Sequence, residues 1–325
     1  MSRPSLNRVS QLDQLKQFTK VAADTADFES IRAYDPQEGT TNPSLILAAA
    51  QKLDYASLLD QAVADLKGSW LSRSVKARAV MDNLIINFGV EILKIVPGRI
   101  STEVDVRLSF DREASIDKGR QLIGLYQKKG VPRERVLIKI AATWEGIQAA
   151  EQLQKESIQC NLTVLFSFPQ AVACAEAKVT TIAPYVGRIC DWYKQHTGKE
   201  YPAGEDPGVL LVKRIYEYYR KYGYATEIMG ASFRNTGQIL ELAGTDLLTI
   251  GPNLLEELRN STDPIEAKLT PQQAEAADLE RVSFDEKNFR FEMNEDPMAT
   301  EKMAEAIRRF TVDTRKLEGI VESKF

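Results

Sequence analysis

The chain has 325 residues, of which 43% are hydrophobic and 27% charged, as is typical of a globular protein with a large core. Its net charge of −4 excludes the basic surface expected of a protein that binds nucleic acid or an anionic membrane. An anionic ligand would therefore have to be bound by local arginines or lysines.

The cysteine and histidine content limits the chemistry that the chain can support. Cys160, Cys174 and Cys190 lack C-x-x-C spacing, so we expect buried thiols in a reducing, cytoplasmic compartment. The single histidine, His196, lies in a polar stretch that predicts a surface loop. These residues exclude a zinc site built on two histidines, and acid–base chemistry falls to carboxylates, lysine or tyrosine. The sequence predicts neither a membrane helix nor a secretory signal.

Short β-rich segments alternate with longer amphipathic segments along the chain. Helical patterns begin near Ala114, Trp144, Pro207 and Pro252, and one covers Val75–Leu93. Eight candidate strands lie between the helical patterns, at Val21–Asp24, Gly39–Asn42, Arg99–Val104, Arg135–Ile140, Gln159–Phe166, Val179–Tyr185, Thr226–Ala231 and Asp246–Ile250. Eight strands alternating with helices predict a parallel sheet that closes into a (β/α)8 TIM barrel.

Both ends of the chain lie outside this repeat. We expect one α/β barrel domain over residues 1–325, with an N-terminal helix within 1–20 and a C-terminal helix at 298–325. The C-terminal helix has an apolar face, which predicts that it packs against another surface, such as a partner subunit. This face comprises Met303, Ile307, Phe310, Leu317 and Val321.

The fourth strand contains a lone charge, Lys139, within a β-branched run. A lysine on an edge strand would face water and block aggregation. In a closed barrel, alternation instead turns Ile138 and Ile140 toward the outer helices and Lys139 toward the barrel mouth. Desolvation there disfavours the ammonium and lowers the pKa, which favours an amine that attacks carbonyls.

Carboxylates and an asparagine stand at three other strand ends. Glu103 lies on the opposite face of its strand from Thr102, and Asp24 ends the first strand. Each could be a surface carboxylate, and Asp24 could also cap a helix. Asn42 precedes Pro43, which is a good helix start, so a structural role explains it as well as a functional one does.

The later strands supply polar and cationic groups. Asn161 and Thr163 share one strand face, and paired polar groups in an apolar strand need partners such as a polar site. Arg188 follows the sixth strand, and Ser232 and Arg234 follow the seventh. This pairing at the barrel top suits a phosphate, although an isolated arginine is usually solvated.

Several segments together resemble the transaldolase family over most of the chain, from about Leu12 onward. GTTNPSLI at 39–46 resembles one family signature, and VLIKIAATWEGIQAAEQL at 136–153 resembles the one around the Schiff-base lysine. Further blocks follow in the expected order, namely RISTEVD, CNLTVLF, GRICDWY and GASFRNTG.

The resemblance implies catalytic roles for four residues. Lys139 would attack the C2 carbonyl of a ketose, and Asp24 would take the C4 hydroxyl proton as the C3–C4 bond breaks. Glu103 would shuttle protons through a water held by Thr163 as the imine forms and hydrolyses. A protonated imine is an electron sink, so no metal or organic cofactor would be required.

The resemblance also implies the ligands. Asn42 and Asn161 would bind the dihydroxyacetone unit, and Arg188, Ser232 and Arg234 the sugar phosphate. The family reaction converts sedoheptulose 7-phosphate and glyceraldehyde 3-phosphate to erythrose 4-phosphate and fructose 6-phosphate, in the non-oxidative pentose phosphate pathway. A homodimer is a further expectation from the family.

Two positions depart from the family pattern, which commonly reads S-P-F-V-G-R where this chain has Ala183 and Tyr185. Loss of the serine would remove a hydrogen bond to the three-carbon unit. A tyrosine here is closer to the related fructose-6-phosphate aldolases, which release free dihydroxyacetone. That aldolase activity and a non-catalytic phosphosugar-binding protein are the two alternatives. A hydride-transferring enzyme is disfavoured, because no G-x-G-x-x-G follows an early strand.

Overall fold

Eight parallel strands close into a barrel in the computed structural model, which describes residues 9–324. The strands follow one another in chain order around the barrel, and the first pairs with the eighth. This confirms the predicted (β/α)8 architecture. The strands are β1 (Lys20–Asp24), β2 (Glu38–Thr40), β3 (Ile100–Glu103), β4 (Val136–Ala141), β5 (Cys160–Leu165), β6 (Thr181–Pro184), β7 (Glu227–Gly230) and β8 (Leu247–Ile250).

Helices follow the strands and surround the barrel. Many begin at a polar cap, as at Thr143 and Ser167, whose hydroxyls accept hydrogen bonds from backbone N–H groups. The helices are α1 (Gln11–Leu15), α2 (Phe28–Tyr34), α3 (Pro43–Ala50), α4 (Ala56–Ala64), α5 (Arg73–Leu93), α6 (Arg112–Lys128), α7 (Trp144–Lys155), α8 (Phe168–Glu176), α9 (Val186–Thr197), α10 (Pro207–Lys221), α11 (Thr236–Leu240), α12 (Pro252–Asn260), α13 (Pro271–Glu275), α14 (Glu286–Glu295) and α15 (Pro297–Glu322).

The two terminal helices of the structure have different bounds from those predicted. The N-terminal helix α1 ends at Leu15, because the chain turns there and β1 begins at Lys20; residues 1–8 of this prediction lie outside the described part. The C-terminal helix α15 begins at Pro297, after an Asp296 cap. It ends at Glu322, and residue 325 is likewise outside the description.

The apolar face of α15 packs on the chain's own barrel. Phe310, Leu317 and Val321 are buried, with α3, α5 and α9 among the elements that α15 contacts. Arg107 makes an ion pair with Glu318 at 2.6 Å, which ties α15 to the segment after β3. A partner subunit is therefore not needed to explain this face, and the observation no longer supports the expected homodimer.

His196 is not in a surface loop, contrary to the prediction. It lies in the last turn of α9, which ends at Thr197 and is capped by Gly198 with a φ of 68°. Its ring stacks on Trp192 with the centroids 3.8 Å apart. The stacking of His196 on Trp192, one turn earlier, stabilises the helical conformation. The polar composition of this stretch alone indicates a loop. No helix within residues 9–324 is long and apolar enough to cross a membrane.

The lower end of the barrel interior holds a network of charges. Arg99 donates to Glu38 at 2.8 Å and to Glu227 at 2.6 Å, and Lys20 and Thr181 also contact Glu227. Burial opposes the charge of Glu227, but hydrogen bonding to Arg99 outweighs it and lowers the pKa of Glu227. Arg99 therefore holds two inward carboxylates in place.

Removal of this guanidinium should destabilise the barrel. We predict that Arg99→Met lowers the free energy of unfolding in urea by about 3–5 kcal/mol at pH 7, because it leaves buried charge unpaired. Since the pKa of Glu227 is lowered in the folded state, its contribution is present at neutral pH and lost in acid. The deficit should therefore shrink below about pH 4.5, where carboxylates take up protons.

The exposed pair of Arg32 and Glu29 provides the control. Arg32→Ala should cost about 0.5 kcal/mol or less, as surface ion pairs usually do. Equal losses in the two variants would show that the network at the barrel bottom contributes no more than a surface pair.

Candidate active site

The predicted polar residues meet at the carboxyl end of the barrel, where they line a cavity that we call the mouth cavity. Register brings them together: Glu103 pairs with Lys139, and Lys139 pairs with Asn161. Side chains at paired positions point to the same side of the sheet. The mouth cavity is lined by Asp24, Thr40, Asn42, Lys139, Asn161, Ala183, Tyr185, Arg188, Met229, Ala231, Ser232 and Thr249.

Lys139 points into the barrel, as the alternation of β4 predicts. On the other face of β4, Ile140 packs toward Gly146 of α7, where an added Cβ would lie 2.0 Å from the carbonyl of Ala141. That close approach of helix to strand requires glycine. The Lys139 side chain is 6% exposed, and Nζ donates to the carbonyl of Thr41 at 3.2 Å.

The prediction of a lowered lysine pKa is wrong. Burial does oppose the ammonium, but the neighbouring carboxylates of Glu103 and Asp24 outweigh it and raise the pKa of Lys139. Lys139 Nζ lies 3.4 Å from Glu103 Oε2. Desolvation alone predicts the wrong direction, because the sequence does not show how close the carboxylates come.

Glu103 and Asp24 are poor anions in this environment. Burial raises the pKa of both carboxyl groups, and Lys139 only partly offsets it. Neither Glu103 oxygen accepts a hydrogen bond from any residue between 9 and 324. Both groups can therefore take up a proton more readily than an exposed carboxylate can.

Asp24 is positioned by two threonines that the sequence interpretation missed. Thr40 donates to Asp24 Oδ1 at 3.1 Å, and the hydroxyls of Thr40 and Thr249 lie 2.6 Å apart. Thr249 comes from β8 and Thr40 from β2, which are the two strands that flank β1. Barrel closure creates this contact between residues 209 positions apart.

The inner face of β5 contributes a second polar pair. The amide nitrogen of Asn161 donates to Ser101 Oγ at 3.0 Å, while its oxygen accepts nothing from the described residues. Thr163 donates to Tyr185 Oη at 2.8 Å. Both side chains are fully buried and face the same side, as predicted. The amide oxygen of Asn161 is thus available for a ligand with a donor group.

A backbone irregularity sits directly above Thr163. Val164 has a φ of 56°, which is uncommon for a β-branched residue, and the pairing of β5 with β6 shifts there. Gln170 holds this segment, because its oxygen accepts from Phe166 N and Ser167 N while its nitrogen donates to the carbonyls of Ala142 and Val164. Sequence interpretation missed Gln170, although S-x-x-Q is a capping-box pattern.

Asn42 caps a helix, as one of its two predicted interpretations has it, and its substrate-binding role stays a prediction. Its side-chain oxygen accepts from the backbone N–H of Leu45 at 3.0 Å, so it caps α3. The same residue lines the mouth cavity. Its structural and functional roles are therefore compatible, since the cap fixes the side chain at the edge of the mouth.

Arg188 presents a cation to the mouth cavity from the first turn of α9. Its guanidinium lies 4.9 Å from the Tyr185 ring centroid and 5.4 Å from that of Phe310. No acidic side chain within residues 9–324 makes an ion pair with it. Two aromatic rings thus hold an arginine whose charge is available to an anion.

Ser232 lines the same cavity, with a φ of 62°. Its carbonyl accepts from the N–H of Gly187 at 3.1 Å, where an added Cβ would lie 2.3 Å away. Arg234 is placed differently: it is about half exposed, lies outside the cavity lining and pairs with Asp191 at 2.8 Å. The structure therefore brings Arg188 and Ser232 together and leaves Arg234 at the rim.

Comparison with known proteins gives one family. A family model described as Transaldolase/Fructose-6-phosphate aldolase matches residues 21–321. Among solved structures, an IMP dehydrogenase/GMP reductase-like protein from Corynebacterium glutamicum is similar, with 11% identity and a TM-score of 0.41. The match covers 73% of this chain and 64% of that chain, so the chain spans less than two thirds of its length. A likeness this weak carries no argument.

The role of Gln170 can be tested through stability. We predict that Gln170→Leu lowers the free energy of unfolding by about 2–4 kcal/mol, because two buried N–H groups and two carbonyls lose their partner. Gln152→Leu is the control, since Gln152 contacts only Glu156 on its own helix among the hydrogen bonds found. That change should stay within about 0.5 kcal/mol. Similar losses in the two variants would mean that Gln170 does not hold the irregular segment.

Proposed function

Because the chain belongs to the transaldolase/fructose-6-phosphate aldolase family, we propose that it is a transaldolase that acts through a Schiff base on Lys139. It would transfer dihydroxyacetone from sedoheptulose 7-phosphate to glyceraldehyde 3-phosphate, as a cytoplasmic enzyme of the non-oxidative pentose phosphate pathway. The observation that carries the proposal is a buried lysine in contact with a carboxylate that has a raised pKa, beside an available arginine.

The first step requires a neutral amine. Lys139 is charged at rest, so a proton must leave Nζ before the amine attacks the C2 carbonyl of the ketose. Glu103 lies 3.4 Å away and, because its oxygens accept no hydrogen bond from the described residues and its pKa is raised, it is a suitable acceptor. A water between Glu103 and Thr163 would carry protons as the imine forms and later hydrolyses.

The second step breaks the C3–C4 bond. Asp24 would take the C4 hydroxyl proton, while the protonated imine draws the electron pair of the breaking bond into an enamine. Thr40 fixes the carboxylate by donating to one of its oxygens. When the acceptor aldose arrives, the enamine attacks its carbonyl and Asp24 returns the proton. This sequence needs only groups of the protein and the sugar.

The remaining residues would bind the substrate. Asn42 and Asn161 flank Lys139 in the mouth cavity and would hydrogen-bond the dihydroxyacetone unit. Arg188 and Ser232 would bind the phosphate, and Arg234 would reach it from the rim after leaving Asp191. A homodimer stays a proposal that rests on the family alone.

Tyr185 favours a second activity, the release of free dihydroxyacetone. Its hydroxyl lies in the site, bonded to Thr163, and burial raises the pKa of Tyr185 so that the phenol keeps its proton at neutral pH. We propose that it protonates the enamine carbon, after which hydrolysis frees the product. Ala183, also in the mouth cavity, offers no hydroxyl to retain the three-carbon unit.

Reductive trapping tests the imine. After incubation with fructose 6-phosphate and borohydride, we expect a three-carbon adduct on the peptide that contains Lys139, detected by peptide mass mapping. Lys139→Met should give none. An added erythrose 4-phosphate should yield sedoheptulose 7-phosphate. A six-carbon adduct would contradict the cleavage role of Asp24, and bound sugar without any adduct would support a non-catalytic binding protein.

The role of Tyr185 is tested by comparing release with transfer. We predict that Tyr185→Phe lowers the rate of dihydroxyacetone release from fructose 6-phosphate severalfold and largely preserves transfer to erythrose 4-phosphate, because only release needs the phenolic proton. Tyr193→Phe is the control, since Tyr193 lies in α9, the helix that directly follows Tyr185, and outside the mouth cavity. An unchanged release rate in Tyr185→Phe would rule out this role.

A further inference from the structure

A second cavity, which we call the flank cavity, opens beside the mouth and has a volume of about 370 Å³. It lies between α3, α5, α6 and α15, on the side of the barrel where β2 and β3 end. Its wall contains both apolar and charged side chains. Representative lining residues are Met81, Asp82, Ile85, Ala114, Lys118 and Leu317.

The inner end of the flank cavity reaches the groups that contact the Lys139 amine. Glu103 lines this cavity and does not line the mouth cavity. Thr41, whose carbonyl accepts from Lys139 Nζ, also lines it. Asn42 lines both cavities, so the two spaces meet at this residue. The unpaired oxygens of Glu103 thus border a space other than the one proposed for the sugar.

The outer end of the flank cavity is polar. Arg78, Asp117 and Gln121 are exposed and line it. Farther in, Lys118 makes an ion pair with Asp82 at 2.7 Å, and the two side chains are 19% and 13% exposed. Charged groups therefore line the flank cavity at its outer part, and Glu103 lines it at the inner end, so water has hydrogen-bonding partners at both ends of the space.

Imine chemistry releases water at one step and consumes water at another. When Lys139 adds to the ketose, the C2 oxygen leaves as one water molecule, and hydrolysis of the imine consumes one. A sugar phosphate held by Arg188 fills the mouth during both events. Water that entered through the mouth would have to pass the bound sugar.

We propose that the flank cavity is the path by which water reaches and leaves Glu103 while the sugar occupies the mouth. The inference rests on the proposed imine at Lys139. It assigns a function to a space that no step of the carbon chemistry uses. It also explains why Glu103, a carboxylate that is 6% exposed, accepts no hydrogen bond from residues 9–324 although it lies beside Lys139.

The test follows the C2 oxygen of fructose 6-phosphate labelled there with ¹⁸O. In an Asp24→Asn background the imine should form and reverse without cleavage, so the sugar stays in the mouth. If the expelled water escapes, hydrolysis uses unlabelled solvent and the sugar loses its label. If the water is retained, the label returns. Label loss is compared with the rates of imine formation and reversal, measured by borohydride quenching at successive times.

Two substitutions narrow the flank cavity from two different helices. Ala114→Trp adds a ring from the first turn of α6, and Ile85→Phe adds one from α5. Glu113→Trp is the matched control, because Glu113 lies in the same turn as Ala114, has a side chain that is 75% exposed and does not line the cavity. In both narrowed variants we expect the amount of ¹⁸O lost per imine cycle to be severalfold lower than in Asp24→Asn alone. In the control the loss should equal that of Asp24→Asn alone.

The outcomes separate this inference from the function on which it rests. Unchanged label loss in both narrowed variants, with imine still trapped, would overturn the water path and leave the Schiff base intact. Absence of any trapped adduct in Asp24→Asn would overturn the proposed function, and the water path with it. Lys139→Met supplies the background rate of spontaneous oxygen exchange.

Discussion

Closure of eight parallel strands is the constraint on which the rest of the structure depends, because it gives every strand one face without access to bulk water. In β4 that face carries Lys139, and the register sets Glu103 on one side of it and Asn161 on the other. An ammonium in this position must be balanced by neighbouring strands. The raised pKa of Lys139 shows that the carboxylates outweigh the cost of desolvation.

The barrel interior contains two charged clusters with opposite properties. At the lower end, Arg99 donates to both Glu38 and Glu227, and Lys20 places a second cation beside Glu227. At the upper end, Glu103 lies 3.4 Å from Lys139, but neither of its oxygens accepts a hydrogen bond from residues 9–324. An unsatisfied buried carboxylate costs free energy and takes up protons readily. The lower cluster therefore suits stability, while the upper one suits the proton transfers of the proposed mechanism.

The sequence predicted what depends on local periodicity, and it failed where distant segments meet. The alternation of side chains along β4 correctly predicted that Lys139 points into the barrel, because a strand in a closed barrel has only an inner and an outer face. It could not give the direction of its pKa shift, which depends on charges from other strands. The contact of Thr40 with β8 arises only on closure, and the bond of Gln170 to the carbonyl of Ala142 forms only once β4 and β5 are paired. His196 was misassigned because polar composition does not distinguish a last helical turn from a loop.

The C-terminal helix α15 contributes residues beside both cavities. Phe310, Thr314 and Leu317 recur every three or four residues, so they lie on one face of α15. Phe310 supports Arg188 beside the mouth, while Thr314 and Leu317 form part of the wall of the flank cavity. Under the proposed mechanism, one helix face therefore supports the cation for the phosphate and forms part of the wall of the water path to Glu103.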